Sequence, residues 1–322
     1  MANIKDVAKL SGVGTSTVSR YFNKSGYVSQ ESRDRIQQAC KELHYTPNAL
    51  ARAVKTKHAY TICLVVPNIS RFFFAELSSA IERACVKRGY KVLLVNAGDE
   101  ETLKEINLTR LHQGFIDGAI ITAAYKDSEE IEFDVPVVFM EPVNGKKHKY
   151  SAVYTDQYDG ARQACEYLYE QGCRKIIYLK SETHYKASIE RERGYRDCLN
   201  QHGLPLHIFS LEDLDNRGFQ IFKNHEYDGV FAWNDHLAAK FIERCHQAYV
   251  NLPEDVQLIG YDNVSLARYL YPQLTTIAQP IEALGTYAAD SLINKIEGIQ
   301  KEEIRIVLEN ELIIRQTTKK QE

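Results

Sequence analysis

The stretch IKDVAKLSGVGTSTVSRYFN, residues 4–23, decides the fold of the first part of this 322-residue chain. Ile4, Val7 and Ala8 follow helical spacing, and two glycines interrupt the run before a second helical pattern begins at Thr15. A helix, a tight glycine-containing turn and a second helix that starts with polar residues are typical of a helix-turn-helix. The stretch therefore predicts an all-α unit whose second helix enters the major groove of DNA.

The chain continues outward from this stretch into a third predicted helix. Ser29 is a suitable N-cap, and Ile36 and Cys40 follow at helical spacing. Thr46-Pro47 ends the unit because proline disfavours helical geometry in the preceding residue. We therefore predict a head of residues 1–46, followed by a connector of residues 47–58 that contains a helix-prone run too short to be stable alone.

The second helix carries short polar side chains of the kind that reach base edges and phosphates. The alternative is an ordinary three-helix bundle whose hydroxyl groups only face solvent. We expect Val18 and Phe22 to point inward in either case. The candidate DNA contacts on this helix are Thr15, Ser16, Thr17, Ser19, Arg20 and Asn23.

The charge of the chain is unevenly distributed. Residues 1–58 hold ten Lys/Arg and four Asp/Glu, a formal charge of +6, whereas the remainder carries −9. A basic segment on an acidic body favours a polyanionic partner, although a solvated basic surface without a partner remains the alternative. The seven cysteines include no C-x-x-C pair, so we expect neither disulfides nor a metal site. Without a secretory signal pattern or a transmembrane run, we expect a cytoplasmic protein.

From residue 59 onward, the pattern alternates between apolar strands and amphipathic helices. Such alternation predicts parallel sheets joined by right-handed crossovers, as one barrel or as two doubly wound lobes. A terminal helix over residues 280–297 and short strands over 305–308 and 312–315 close the chain. The other predicted strands are residues 61–66, 91–95, 118–122, 136–140, 175–179, 229–233 and 256–261, and the other helices are 74–88, 101–113, 159–171, 188–202 and 236–249.

Loops that follow the strands are the places to search for a ligand site, because ligands bind beyond the carboxyl ends of parallel strands. Phe72, Phe73 and Phe74 cannot all face one core, so at least one offers an apolar face to a sugar ring or base. At least one of them instead packs the helix onto the sheet. Trp233-Asn234-Asp235-His236 and Gly260-Tyr261-Asp262-Asn263 place polar groups after buried strands, where they cap helices or bind a ligand.

Four motifs together resemble the N-terminal signature of the LacI/GalR family of repressors: residues 4–8, 12–14, 17–20 and Tyr45-Thr46-Pro47-Asn48. The resemblance covers essentially the whole chain. It implies a helix-turn-helix domain plus an α/β periplasmic-binding-protein-like (type I) effector domain of two doubly wound lobes, 59–157 with 280–307 and 158–279 with 308–322. It also implies a homodimer that reads double-stranded operator DNA and binds a carbohydrate effector, with no cofactor and no membrane partner.

The resemblance assigns roles to individual positions. Thr15, Ser16 and Arg20 become base-reading residues, and the other polar residues of the second helix become phosphate contacts. A hinge helix would enter the minor groove through Asn48, Leu50, Ala51 and Val54, with Val54 where the family usually has a leucine wedge. In the body, the matched effector-binding positions are Glu141, Arg191, Asn234, Asp262, Gln279 and Ile281, and Phe72 and Phe73 join them as the candidates for the apolar face.

Two rival functions share parts of this pattern. A free sugar-binding protein of the periplasmic type would have the same body, but it would need a signal peptide and has no use for a basic head. An α/β enzyme would need a catalytic motif, and the chain has no G-x-S-x-G elbow, no P-loop and no H-E-x-x-H. We therefore predict a DNA-binding regulator without catalytic residues.

Overall fold

The computed structural model describes residues 2–23, 26–45, 58–98, 116–122, 133–141, 150–181 and 185–319, with the side chain of Asn23 left out. The chain divides into two compact units, Met1–Ala59 and Tyr60–Glu322. The first unit is helical, and the second combines helices with two sheets. Among the described residues, no helix has both the length and the apolarity that crossing a membrane requires.

The described part of the first unit contains three short helices: α1 (Ile4–Ser11), α2 (Thr15–Asn23) and α3 (Gln30–Glu42). Asn3 and Asp6 form a capping box at the start of α1, and Gly12 ends that helix in the left-handed region with φ +68°. Ser29 caps α3, as predicted, by accepting a hydrogen bond from Ser32 N–H. The helices enclose a small apolar core of Val7, Ala8, Val18, Val28, Ile36 and Ala39, against which Phe22 packs.

The second unit contains two six-stranded sheets rather than one barrel. The first sheet has the order β11-β5-β4-β3-β1-β2 and is parallel throughout. Helices α4 (Phe72–Lys87) and α11 (Ile281–Ile296) pack together against this sheet. Its strands are β1 (Thr61–Val66), β2 (Lys91–Asn96), β3 (Gly118–Ile121), β4 (Val137–Phe139), β5 (Ser151–Thr155) and β11 (Arg305–Leu308).

The second sheet has the order β12-β10-β9-β8-β6-β7, and only β12 is antiparallel to its neighbour. Its strands are β6 (Ile176–Leu179), β7 (His207–Phe209), β8 (Gly229–Ala232), β9 (Gln257–Asp262), β10 (Thr275–Ala278) and β12 (Glu311–Ile313). The described helices of this lobe are α5 (Gln157–Glu170), α6 (Lys186–Gln201), α7 (Leu211–Arg217), α8 (Gln220–Lys223), α9 (Asp235–Gln247) and α10 (Leu266–Tyr269).

The chain passes between the two sheets three times. The crossings lie between Thr155 and Gln157, between Ala278 and Ile281, and between Leu308 and Glu311. The three crossing segments lie side by side, since Thr155 Oγ1 donates to Gln279 Oε1 and Asn310 Nδ2 donates to the Asp156 carbonyl. They define a hinge at the base of the space between the sheets.

The sequence predicted most of the described helices and strands but missed several short ones. β5, β7, β10, α7, α8 and α10 have only three to seven residues each, too few for periodicity to be visible. Several helices also begin two residues earlier than predicted: α4 starts at Phe72 and α5 at Gln157. The predicted helix over residues 101–113 lies outside the described residues.

Candidate functional site

Helix α2 presents the polar residues that the sequence singled out. Thr15, Ser16 and Arg20 are exposed, and Thr17 and Ser19 are half-buried. Val18, on the opposite face, is completely buried in the head core. The aliphatic part of Arg20 lies against Gly26, since a Cβ built on Gly26 would be 3.7 Å from Arg20 Cδ. Gly26 thus contacts the Cδ end of the Arg20 side chain, and the residue as a whole is exposed to solvent.

The remaining candidates for DNA contact cannot be located in the same way. The side chain of Asn23 and the hinge positions Asn48, Leu50, Ala51 and Val54 lie outside the described residues. Their roles stay predictions from sequence.

In the second unit, a cleft opens between the two sheets at the carboxyl ends of their strands. Its space, counted together with the part that is open to solvent, is about 740 Å³. Seven of the eight predicted effector positions line it: Phe72, Phe73, Glu141, Arg191, Asn234, Asp262 and Gln279. The structure does not bring Ile281 into this cleft, because Ile281 is the first residue of α11 and its side chain packs against the main core.

Four buried or half-buried side chains form a closed hydrogen-bonded ring at the base of the cleft. Arg191 Nε donates to Gln157 Oε1 at 2.8 Å, and Gln157 Nε2 donates to Gln279 Oε1 at 3.0 Å. Gln279 Nε2 donates to Asp262 Oδ1 at 2.8 Å, and Arg191 Nη2 donates to the same oxygen at 3.1 Å. Each member fixes the next, so the ring presents its remaining polar atoms in a set geometry.

Asp262 is the acidic member of the ring, and only one of its two carboxylate oxygens is used within the ring. Within the described part of the chain, its Oδ2 has no hydrogen-bond partner, whereas Oδ1 accepts two bonds. Asp262 has φ +105° and Asn263 has φ +54°, two successive non-glycine residues in a disfavoured region. Burial raises the pKa of Asp262, and the Arg191 guanidinium opposes that rise.

Aromatic side chains cover the polar ring. Phe72 is 43% exposed, whereas Phe74 is buried in the core. The three phenylalanines thus divide as expected between an exposed face and a packing role. Trp233 lies on the opposite lobe, with the Arg191 guanidinium 5.5 Å from its ring centroid and Arg71 at 6.0 Å. Its buried indole Nε1–H has no hydrogen-bond partner within the described residues.

Asn234 both caps a helix and lines the cleft, so the two interpretations of its position are not exclusive. Its Oδ1 accepts a hydrogen bond from Leu237 N–H at 2.9 Å and so caps α9. Within the described residues, its Nδ2 has no hydrogen-bond partner. The neighbouring Asp235 is completely buried and instead accepts hydrogen bonds from Val264 N–H and Thr276 Oγ1–H. Asp235 is therefore a structural acid.

Sequence reasoning missed several cleft residues. Gln157 was hidden because α5 was expected to start at residue 159, although Asp156 followed by Asp159 is a recognisable N-terminal capping pattern. Trp233 could have been found as the single tryptophan of the chain, placed just after a strand. The other lining residues that were not predicted include Arg71, Thr155, Tyr185 and His236.

The two units match two family models. Residues 3–48 match the bacterial regulatory proteins of the lacI family, and residues 165–318 match a periplasmic binding protein-like domain. A curated relative, the ribose operon repressor of Halalkalibacterium halodurans, is 33% identical over 99% of this chain and 98% of that protein. The similarity therefore extends from the helix-turn-helix to the end of the second sheet.

Solved structures are also similar to this chain. A periplasmic binding protein/LacI transcriptional regulator from Alkaliphilus metalliredigens, complexed with D-xylulofuranose, has 34% identity and a TM-score of 0.74 over 81% of this chain and 100% of that chain. A LacI family regulator from Enterococcus faecium with bound ribose has 29% identity and a TM-score of 0.67 over 80% of this chain and 98% of that chain.

Proposed function

We propose, from the premise that this chain belongs to the LacI family of bacterial regulatory proteins, that a neutral monosaccharide of pentose size controls its hold on operator DNA. As a family member, the protein is a DNA-binding repressor with an effector domain, and its relatives are transcriptional repressors rather than enzymes. The new element is the chemical class of the effector and the residues that bind it.

The balance of charge in the cleft is the observation that carries this proposal. Arg191 is paired with Asp262 at 3.1 Å, and both side chains are buried. Arg71 and Glu141 add one charge of each sign to the lining. An anionic ligand would meet two carboxylates as well as two guanidinium groups, so the cleft offers it no net electrostatic gain. A polyol, in contrast, uses both donors and acceptors without desolvating a charge of its own.

The size and shape of the ligand follow from the aromatic residues and from the relatives. Phe72 and Trp233 line the cleft beside the polar ring, and such surfaces suit the apolar face of a sugar. The relatives that bear on this choice are a ribose operon repressor, a ribose-bound regulator and a xylulofuranose-bound regulator. A pentose is therefore our first candidate.

We base the proposed binding roles on polar atoms of the cleft that have no hydrogen-bond partner within the described residues. Asp262 Oδ2 accepts a sugar hydroxyl, and Asn234 Nδ2 and Trp233 Nε1 donate to sugar oxygens. Glu141, Phe72 and Phe73 complete the cleft wall from the first lobe. Gln279 acts through the ring, since its amide holds Asp262 in place.

The coupling to DNA is proposed to run through the crossing segments. Thr155 ends β5 at one crossing, Gln279 lies in another, and Thr155 Oγ1 donates to Gln279 Oε1 at 2.8 Å. A ligand held by this network changes the relative energy of open and closed lobes, and only that difference can shift operator affinity. We propose lobes of residues 59–157 with 280–308 and of 158–279 with 309–322; the sequence had placed residue 308 in the second lobe, but Leu308 ends β11 of the first sheet.

On the DNA side, we propose that Thr15, Ser16 and Arg20 read bases and that Thr17, Ser19 and Asn23 contact phosphates. The hinge residues Asn48, Leu50, Ala51 and Val54 enter the minor groove of a homodimer's operator. Because its target is operator DNA, we propose a cytoplasmic location. A sugar-binding module without a regulatory role is the second candidate. It would not account for the basic head or for the polar residues of α2.

A thermal-shift comparison between D-ribose and ribose 5-phosphate tests the proposal. A ligand that binds only the folded state raises the melting temperature by mass action. We expect D-ribose, or another neutral pentose, to raise the melting temperature. Ribose 5-phosphate should raise it less. A larger shift with the phosphate contradicts a neutral ligand. No change in operator affinity on adding the stabilising sugar would support the binding-module alternative.

A further inference from the structure

A second polar cluster lies between α5 and α6, away from the cleft. It consists of Glu166 on α5, Cys198 on α6 and His202 at the C-cap of α6. One ligand atom from each residue lies within 4.8 Å of the other two. Glu166 lies nine residues from the cleft residue Gln157, about 13 Å along the helix, so the cluster is separate from the effector site.

The three residues are hydrogen-bonded to one another at distances from which a metal ion could replace those bonds after small side-chain movements. His202 Nε2 lies 2.9 Å from Glu166 Oε2, and Cys198 Sγ lies 3.5 Å from the same oxygen. Cys198 and His202 are four residues apart at the end of one helix, a spacing that places two ligands on the same face. Glu166 reaches them from the neighbouring helix.

Close packing of the two helices brings these residues together. Gly194 on α6 has no side chain where it meets α5, and a Cβ there would be 2.4 Å from the Tyr158 carbonyl oxygen. The Arg191–Gln157 and Arg162–Gln201 hydrogen bonds hold the same helix pair above and below that contact. The cluster is therefore set by backbone packing rather than by loops.

The imidazole of His202 is also fixed in its plane. The Tyr169 ring stacks on it with centroids 3.7 Å apart and an interplanar angle of 17°. Arg174 covers the same tyrosine with its guanidinium carbon 4.0 Å from the ring centroid, and it donates to the Tyr169 carbonyl. Locking a ligand's orientation by packing is what a preorganised metal site requires.

An ion pair between Glu166 and His202 does not account for the thiol. Cys198 is fully buried yet directs its sulfur at a carboxylate oxygen. Glu166 is 39% exposed and gives an ion access from solvent.

We propose that Glu166, Cys198 and His202 bind one divalent ion of the zinc class, with water in the fourth position. Sulfur, imidazole nitrogen and carboxylate oxygen together match the ligand preferences of Zn²⁺, and three protein ligands leave one position open. Binding displaces the Cys198 thiol proton and any proton on His202 Nε2, and both pass to solvent. Affinity for the ion therefore rises with pH.

Cobalt provides the direct test, because tetrahedral Co²⁺ bound to thiolate absorbs and Zn²⁺ does not. We expect titration of the reduced full-length protein with CoCl₂ to give a thiolate-to-metal charge-transfer band that saturates at one ion per chain and disappears on adding ZnCl₂. Cys198→Ala should abolish the band. His202→Gln and the nearly isosteric Glu166→Gln should weaken Zn²⁺ binding by at least roughly 100-fold, beyond the usual effect of losing an outer-shell contact.

Matched controls change the same residue types elsewhere. Cys245→Ala removes a buried cysteine of the other core, and His246→Gln removes an exposed histidine of α9. Both should keep the band. A folded wild-type protein without the band, or a band that survives Cys198→Ala, overturns the proposal, whatever the sugar and operator measurements show.

Discussion

Arg191 Nη2 lies 3.1 Å from Asp262 Oδ1, and the two side chains are 4% and 7% exposed. A buried ion pair is costly in desolvation, so a fold keeps it at such a position only with further hydrogen bonds. Arg191 donates hydrogen bonds to Gln157 Oε1 and to the Trp233 carbonyl oxygen. Its guanidinium carbon also lies 3.6 Å from the centroid of the Tyr261 ring. The pair is thus held rigidly before any ligand arrives, which lowers the entropy that binding must overcome.

The first prediction concerns the available oxygen of Asp262. Asp262→Asn keeps an oxygen for Arg191 and Gln279 but turns an amide towards the ligand. We expect effector affinity to fall by about 1.5–3 kcal/mol, roughly 10- to 150-fold, as for losing a hydrogen bond to a charged group. Operator affinity without sugar should remain that of the wild type. Titration calorimetry with the stabilising sugar and fluorescence anisotropy with operator DNA measure the two effects.

Asp197→Asn is the matched control for this change. Asp197 is exposed on α6, in the same lobe, and accepts a hydrogen bond from Tyr158 Oη. It should bind sugar as the wild type does. If the Asp262 variant still responds to sugar with unchanged affinity, Asp262 does not bind the effector.

The second prediction separates ligand binding from stability at Trp233. Trp233→Phe keeps an aromatic surface but removes the buried indole N–H that has no partner within the described residues. We expect sugar affinity to fall by about 0.5–1.5 kcal/mol, since one hydrogen bond is lost. Without sugar, the free energy of unfolding should decrease only by the amount expected for the smaller buried apolar area of phenylalanine. Calorimetry and urea unfolding give the two quantities.

Tyr261→Phe is the control that distinguishes a cleft donor from any buried unsatisfied group. The Tyr261 hydroxyl also has no partner among the described residues, but this side chain is fully buried and does not line the cleft. Its removal should leave sugar affinity unchanged. Equal losses of sugar affinity in both variants would mean that Trp233 acts through packing rather than through Nε1.

The sequence predicted the head well because each of its structural elements is encoded locally. The Asn3 and Asp6 capping box, the left-handed Gly12 and the Ser29 cap all depend on residues within four positions of one another. The longer strands of the body were also visible, since buried parallel strands are continuous apolar runs. The choice between one barrel and two lobes was not local, because it depends on which sheet receives β11 and β12.

The effector cleft could be predicted only in part, for the same reason. Asp262 and Asn234 follow obvious strands, so their positions near a site were recognisable. The ring that holds them was not, because Gln157 and Gln279 are far apart in sequence and meet only through two crossing segments. Ile281 was assigned to the cleft only through the resemblance to the LacI/GalR family. It lies elsewhere because the helix α11 starts there and turns its side chain towards the core.

The third prediction tests the recognition helix. Arg20→Ala should weaken operator binding by about 1–3 kcal/mol if the guanidinium reads a base, and by less, with a reduced salt dependence, if it contacts only phosphate. The operator duplex is first selected by enriching protein-bound sequences from a random pool. The affinity of the protein for this duplex is then measured by fluorescence anisotropy at several salt concentrations. For the wild type, the logarithm of affinity should fall steeply and linearly with the logarithm of salt.

Arg35→Ala provides the comparison of equal charge. Arg35 is exposed on α3, where it forms an ion pair with Glu31. Its loss should cost operator binding less than the loss of Arg20, and both variants should keep the helical content of the wild type. If Arg20→Ala binds as tightly as the wild type, α2 is not the helix that reads the operator.

The fourth prediction concerns the pH dependence that buried Asp235 gives to stability. Burial is the main cause that raises the pKa of this carboxyl well above its usual range, and the nearby Asp262 adds to the rise. A folded-state pKa above that of the unfolded chain means that the folded protein retains the proton longer. The stabilising contribution is therefore complete below the unfolded pKa of about 3.9 and decreases as pH rises towards the folded value.

Asp235→Asn makes the neutral form permanent and so isolates this contribution. The amide can still accept from Val264 N–H and can donate to Thr276 Oγ1, the two partners of the carboxyl group. Urea unfolding of the wild type and the variant at acidic and at neutral to alkaline pH should show their difference in free energy shifting in favour of the variant as pH increases. Parallel pH profiles would mean that Asp235 is ionised in the fold, with Val264 N–H and Thr276 Oγ1–H compensating its charge.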